Sequence, residues 1–163
     1  MILSHAHIDH FGNLPTLFRR GFHGPIFCTP ATRDLVTVML ADSAKIQEED
    51  ANFLNRKKSS REPEIQPLYT QREVFQVIKH ARAIPYDQAF HVGKRVVAEF
   101  RDAGHLLGSA MVGLSLEQGD LQRKITFTGD LGRRALPILR DPEPVPECEV
   151  LISESTYGGK LHP

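Results

Sequence analysis

Hydrophobic positions along the chain fall into two regimes. In the first half they recur at helical spacing. Leu14, Leu17 and Phe18 predict a short helix after Gly12, with Gly21 as its stop. Pro25 to Thr29 reads as a short buried strand. Thr29-Pro30 then opens a long helix, because Thr is a good cap and Pro suits the first helical position. Leu35, Val38, Met39, Asp42 and Ile46 give that helix one mostly apolar stripe. From Gln47 to Gln66 the chain turns polar, with Arg56-Lys57-Lys58 followed by Ser59-Ser60-Arg61. This stretch is either a solvated loop or a basic patch facing nucleic acid, and the loop is favoured because charge runs are mostly wet surface. Thr70 and Glu73 predict a capping box for a further helix carrying Val74, Val77, Ile78 and Ala81.

Beyond Arg82 the period drops from 3.6 to two. Val96, Ala98 and Phe100 alternate with Val97, Glu99 and Arg101; Val112, Leu114 and Leu116 alternate with Met111, Gly113 and Ser115. Ile125 and Phe127 alternate with Lys124 and Thr126. These are half-buried strands, and Gly119-Asp120 predicts a hairpin turn between two of them. Pro137 to Pro146 reads as a proline-rich surface loop, and Val150-Leu151-Ile152 as a short apolar strand. Met1-Ile2-Leu3 resembles the end of a buried strand without a lead-in, so preceding strands are expected to be missing. Helices first and sheet second, with flanking strands, predict a mixed α/β architecture.

Length and composition narrow this further. A chain of 163 residues is about one domain. Its 20 Lys+Arg balance 20 Asp+Glu, which argues against a nucleic-acid grip spread over the whole surface but leaves room for a local one. No apolar run approaches the ~18–20 residues that span a bilayer, and no leader pattern opens the chain. Cys28 and Cys148 cannot build a disulfide framework, and their separation matches no metal knuckle; reduced thiols in a cytosolic protein are expected. Histidine is the abnormal count, with eight in all.

Several predicted strands end in polar groups that suit a metal ion. Met1-Ile2-Leu3 runs into His5, His7, Asp9 and His10; the strand at residues 95–102 runs into His105. The strand at 124–128 runs into Asp130, and the last strand delivers Glu154. If they share a sheet edge, these ends converge on one rim. In an extended segment, residues i and i+2 point the same way, so His5 and His7 can grip one ion together, whereas a helix would need i and i+4. Asp9 and His10 at the following turn can serve a second ion. Neutral imidazoles suit zinc, and a carboxylate such as Asp130 can bridge two ions. Two ions bring +4 and Asp9, Asp130 and a hydroxide return about −3, leaving a centre near +1 that suits a phosphodiester. Gly104, Gly108 and Gly129 fit tight turns beside these ligands. Arg133 and Arg134 can touch phosphate or lie on the surface, the surface reading being favoured. His23, His80, His91 and His162 carry no assigned role.

The motifs resemble those of the metallo-β-lactamase fold. His5-Ala6-His7-Ile8-Asp9-His10 resembles its H-x-H-x-D-H signature, Ala103 to Ala110 its third metal motif, and Phe127 to Arg133 its fourth. Ile152-Ser153-Glu154-Ser155-Thr156-Tyr157-Gly158 resembles the first motif of the β-CASP branch, in the version found in RNA nucleases related to the polyadenylation-factor endonuclease. The resemblance implies an αββα sandwich in which His5, His7 and His105 bind one zinc, Asp9 and His10 bind a second, and Asp130 bridges them. It further implies catalytic roles for Asp9, Asp130 and Glu154. Glu154 would orient a histidine that acts as general acid, and a hydroxide activated between the two Zn²⁺ would attack phosphorus in line.

Family members also carry strands before the first motif, an inserted β-CASP domain after the Tyr-Gly element, and two later motif histidines. Residues 1–159 are therefore expected to be a partial metallo-β-lactamase domain, with 160–163 starting the connection to a β-CASP domain. The second zinc site is expected to be incomplete and this fragment inactive. The expected partner is an RNA substrate cut internally or from its 5′ end, with no membrane; a homodimer or an RNA-processing complex and a cytoplasmic location complete the expectation. The rivals are a thioester or lactam hydrolase on the same fold and an inactive RNA-processing subunit.

Overall fold

The computed structural model describes residues 1–59 and 61–160. Ser60 of the basic stretch, His162 and most of the expected connection at 160–163 lie outside the described residues. The chain forms α1 (Ile8–Phe11), α2 (Leu14–Arg19), β1 (Ile26–Cys28), α3 (Pro30–Lys57), α4 (Gln71–His80), β2 (Ala81–Ala83), β3 (Phe90–Gly93), β4 (Val96–Asp102), β5 (Ala110–Gln118), β6 (Leu121–Phe127) and β7 (Val150–Ile152). None of its described helices is long and apolar enough to cross a membrane.

Two sheets and one helical layer organise these elements. β1 and β2 pair in parallel, and Ile2 adds a parallel bridge to Phe27, sealed by Leu3 N–H to Phe27 O at 2.9 Å and Phe27 N–H to Met1 O at 3.0 Å. The larger sheet has the order β3-β4-β5-β6-β7, antiparallel throughout except for the parallel pair β6-β7. Successive residues of the small sheet serve opposite faces. Leu3, Ile26 and Cys28 join Phe11, Phe18, Val36, Leu40, Val74 and Val77 in a core under the helices. Ile2, Phe27 and Ile84 pack the other way, onto Phe90, Phe100 and Val112 of the large sheet. The layers thus run helices, small sheet, large sheet. Helices cover one side of this pair of sheets among the described residues, so the mixed α/β reading holds while the outer helical layer of an αββα sandwich is not part of them.

The alternation in β4 and the two-residue turn Gly119-Asp120 between β5 and β6 match the sequence reading, whereas β5 starts buried on both faces, with Met111 as enclosed as Val112. α3 does not. Its buried face is Thr32, Val36, Leu40, Ala44 and Ala51, whereas Val38 is 69% and Ile46 50% exposed. The stripe is rotated by about one residue, or 100°, because the small Ala44 lets Tyr69 and α4 close in. α3 also continues through the polar stretch to Lys57. Gln47 to Lys57 holds good helix formers and no Gly or Pro, and Arg56 and Lys57 in the last turn suit the helix dipole. Its polar side chains hold the returning segment: Asn55 exchanges two 2.8 Å bonds with the Ile65 backbone, and Gln71 N–H donates to Glu48 at 3.0 Å. Ala81 leaves α4 as its C-cap and starts β2. In β6 the faces are exchanged at the end, with Thr126 buried and Phe127 exposed.

Candidate metal centre

Strand direction assembles the centre. β4, β6 and β7 point the same way, so their C-terminal ends share one rim. The first segment reaches the same rim, where Ser4 O accepts a 2.8 Å bond from Ala110 N–H at the start of β5. His7 itself is extended (φ −98°, ψ 141°), and α1 starts at Ile8. His5 and His7 therefore sit on one side of an extended segment, and Asp9 and His10 on the first helical turn, as their spacing predicts.

His5 is fully buried; Ser4 Oγ engages its Nδ1 at 3.1 Å and leaves Nε2 to the centre. His7 Nδ1 lies 3.2 Å from His5 Nε2 and 3.1 Å from His105 Nε2. Asp130 Oδ2 is 3.6 Å from both His5 Nε2 and His105 Nε2. Zn–N bonds of about 2.0–2.1 Å at tetrahedral angles set donor atoms roughly 3.3–3.4 Å apart. Four of the separations among these donors thus lie within a few tenths of an ångström of that spacing, and all four ligand atoms are within 4.8 Å of one another. Asp130 turns its other oxygen, Oδ1, to His10 Nε2 at 3.5 Å, and His10 Nε2 is 3.6 Å from Asp9 Oδ2. One carboxylate faces two donor groups at once.

The electrostatics keep the rings available. Burial, reinforced by neighbouring His10, pushes the His5 pKa down to about 4, with Asp130 opposing. Burial and then His7 also hold His105 below the ordinary imidazole value, against Asp130 and Glu154. Neutral imidazoles carry the lone pairs that zinc and similar divalent ions take. The donor set therefore fits such an ion.

The loops that carry these candidate donors are locked to each other. Gly104, Gly108 and Gly129 adopt positive φ (62°, 84° and 57°), as tight turns beside ligands require. Ser109 Oγ accepts the N–H groups of His105 and Leu106 at 3.0 and 3.2 Å. A Cβ on Gly129, just before Asp130, would stand 2.9 Å from Ser4 Cβ, just before His5. Gly132 approaches more closely still: its N–H donates to Ala103 O at 2.9 Å, and a Cβ there would overlap the Gly104 carbonyl and lie 2.6 Å from His105 N. Ser4, Ser109 and Gly132 were given no role from the sequence. Only proximity to the ligands in the chain marks them, since hydropathy does not register a backbone-to-backbone contact.

Glu154 lies on the rim of an open groove that His105, Asp130, Leu131, Arg133 and Tyr157 also line. The Thr156 hydroxyl and the Leu131 N–H, the latter at 2.8 Å, donate to its carboxylate and hold its pKa below the usual carboxylate range. Arg134 does not line that groove. His80 bonds to Gln76 O at 2.8 Å and packs on Phe18, while His23 sits beside it; His91 lies in β3. These three are away from the centre. Both cysteines are free, and burial pushes the Cys28 thiol up to about 11, so it stays protonated at neutral pH.

Comparison with known proteins places this geometry in a family. The profile described as "Metallo-beta-lactamase superfamily" matches residues 1–159. Ribonuclease TTHA0252 of Thermus thermophilus is 35% identical over 162 residues, covering 99% of this chain and 32% of the relative. Transcription termination factor FttA of Pyrococcus abyssi is 37% identical over 163 residues, covering 98% of this chain and 22% of the relative. The chain thus spans between about a fifth and a third of the length of these curated relatives. Among solved structures, the Rm3 metallo-beta-lactamase aligns at a TM-score of 0.44 and 21% identity, over 77% of this chain and 39% of that one.

Proposed function

The chain belongs to the metallo-beta-lactamase superfamily, and from that premise we propose that it is the metal-binding part of a β-CASP-branch ribonuclease. One observation carries the reading: four donors, His5, His7, His105 and Asp130, meet at one point, with ligand atoms within 4.8 Å of one another. His5, His7 and His105 would hold a first zinc, Asp9 and His10 a second, and Asp130 would span both, with one oxygen toward each. Bound zinc supplies an activated water near neutral pH and neutralises charge developing on phosphoryl oxygens. The chain's own residues do the rest. The buried His5 stays neutral and fixed by Ser4; Glu154 stays anionic on the groove rim, placed to orient a general-acid histidine from beyond residue 159.

The relatives' names, a ribonuclease and a transcription termination factor, support RNA as the substrate. The Glu154-to-Gly158 element supports the β-CASP branch, since a thioester or lactam hydrolase has no evident use for it. Residues 1–159 are then one incomplete catalytic domain, acting in the cytoplasm within a longer protein that dimerises or joins an RNA-processing complex and cuts RNA internally or from its 5′ end.

The test uses the full native protein. It should bind two zinc ions per chain and cleave single-stranded RNA, while thioester and β-lactam substrates stay intact. Asp130→Ala should lower the zinc content and cut RNA cleavage by on the order of 10³-fold or more. Cleavage of the thioester alone would favour the first rival, and a protein without bound zinc would favour the inactive subunit.

A further inference from the structure

Arg133 sits in the groove beside the metal donors with nothing to hold. It lines the same surface as His105, Asp130, Glu154 and Tyr157, yet it makes no hydrogen bond or ion pair among the described residues. Some arginines are engaged, Arg101 with Asp87 and Glu143, Arg123 with Glu149 and Arg19 with Glu73, and others lie on the surface without a carboxylate; what sets Arg133 apart is its place in the groove. Both carboxylates of the groove are already committed, Asp130 to the histidines and Glu154 to Leu131 N–H and Thr156. Arg133 is the one arginine or lysine among the residues that line this groove.

Its backbone is pinned on both sides. Gly132 N–H donates to Ala103 O at 2.9 Å, and Ala135 N–H donates to Asp141 Oδ1 at 2.8 Å. Ala135 has φ 61°, a conformation uncommon for a residue with a Cβ. Such outliers persist where surrounding contacts over-determine them and cluster at ligand-handling sites. Between these pins only Arg133 and Arg134 remain, and the first is delivered to the groove while the second is not.

We infer that Arg133 binds a backbone phosphate of the substrate next to the one being cleaved. A guanidinium is planar, always charged and matched to two oxygens of a phosphate, and one kept free of carboxylates is ready for that role. It also answers a local difficulty, because Glu154 would otherwise present an anionic rim to a polyanion. Arg133 is a binding and positioning residue, and its contact is with a phosphate that does not react. The assignment rests on the ribonuclease reading above.

The test compares Arg133→Ala, Arg133→Lys and Arg134→Ala in the zinc-loaded full native protein, on a labelled single-stranded RNA of mixed sequence. Arg133→Ala should raise KM by about 10-fold or more, the scale of one lost charged hydrogen-bonding partner, with kcat within about threefold. The plot of log K against log salt should flatten by about 0.7, the slope of one phosphate contact on a single strand. Arg133→Lys should restore the salt slope but not the full affinity, since an ammonium keeps the charge and loses the fork. Arg134→Ala should match wild type, and zinc content should be unchanged in all three. Equal KM and salt slope in wild type and Arg133→Ala, with wild type cutting RNA, would overturn the Arg133 assignment alone; an equal effect of Arg134→Ala would do the same. A zinc-loaded wild type that leaves RNA uncut would overturn the ribonuclease reading and this assignment with it.

Discussion

Replacing Gly132 by alanine adds one methyl group where the Asp130 loop touches the His105 loop. That methyl would overlap the Gly104 carbonyl and stand 2.6 Å from His105 N. Non-bonded heavy atoms settle at about 3.5 Å, so the two loops must part by roughly 1 Å or more. Neither side yields easily. Gly104 is backed by Pro142 N, 2.6 Å from the position its own Cβ would take, and its N–H is tied to Asp102 Oδ1 at 2.8 Å. The Asp130 loop is backed by Ser4 against Gly129. The strain therefore falls on the separation of His105 Nε2 and Asp130 Oδ2, now 3.6 Å. Metal–donor distances tolerate only about ±0.2 Å, so a shift five times larger detaches one of the two from the ion.

Gly132→Ala should therefore weaken zinc binding by on the order of 10–100-fold, the range seen when a group supporting a ligand is lost. The overpacking itself should cost about 1–3 kcal/mol of stability. Competition with a chromophoric chelator reads the first effect, and thermal melts in excess chelator read the second. Gly93→Ala is the control, since a Cβ there meets nothing within 4 Å. Zinc affinity of Gly132→Ala within threefold of wild type would show that the two loops are not held together by this contact.

Two further outcomes are expected. Partial burial opposes the charge on Glu73, but the Thr70 hydroxyl and N–H, at 2.7 and 2.9 Å, and then Arg19 outweigh it and hold the carboxyl below its usual value of 4.5. A lowered folded-state pKa means that the stabilisation is full above pH 4.5 and fades as pH falls through the lower value, so the stability gap between wild type and Glu73→Gln should close below pH 4.5 in urea titrations. Thr29 caps α3 at Thr32 N–H (3.2 Å) and donates to Gly108 O at 2.6 Å, so Thr29→Ala should cost about 1–2 kcal/mol in the same titrations, and a loss under ~0.3 kcal/mol would refute the double role.

The cluster of candidate donors is legible in the sequence because each donor follows a local pattern. The i, i+2 pair His5 and His7 needs only an extended segment, and α1 starts after them. His105 and Asp130 follow strands whose alternation is plain. What was misread depends on partners distant in sequence. α3 turned its face to suit Tyr69 and α4, and its polar half became a docking surface through side-chain bonds to backbone that a hydropathy pattern does not register. Thr126 is buried on a face whose cavity Pro146 and Glu147 also line, and Phe127 on the opposite face is 38% exposed. The Gly132 contact joins two loops that are apart in the sequence and adjacent only in the folded chain.

The histidine pair His7 and His105 is separated by 98 positions, and Asp130 comes later still. An ion held among them would tie together segments from the first to the last third of the chain. An ion held there would bind the folded arrangement and not the unfolded chain, so its stabilisation would grow with free ion concentration.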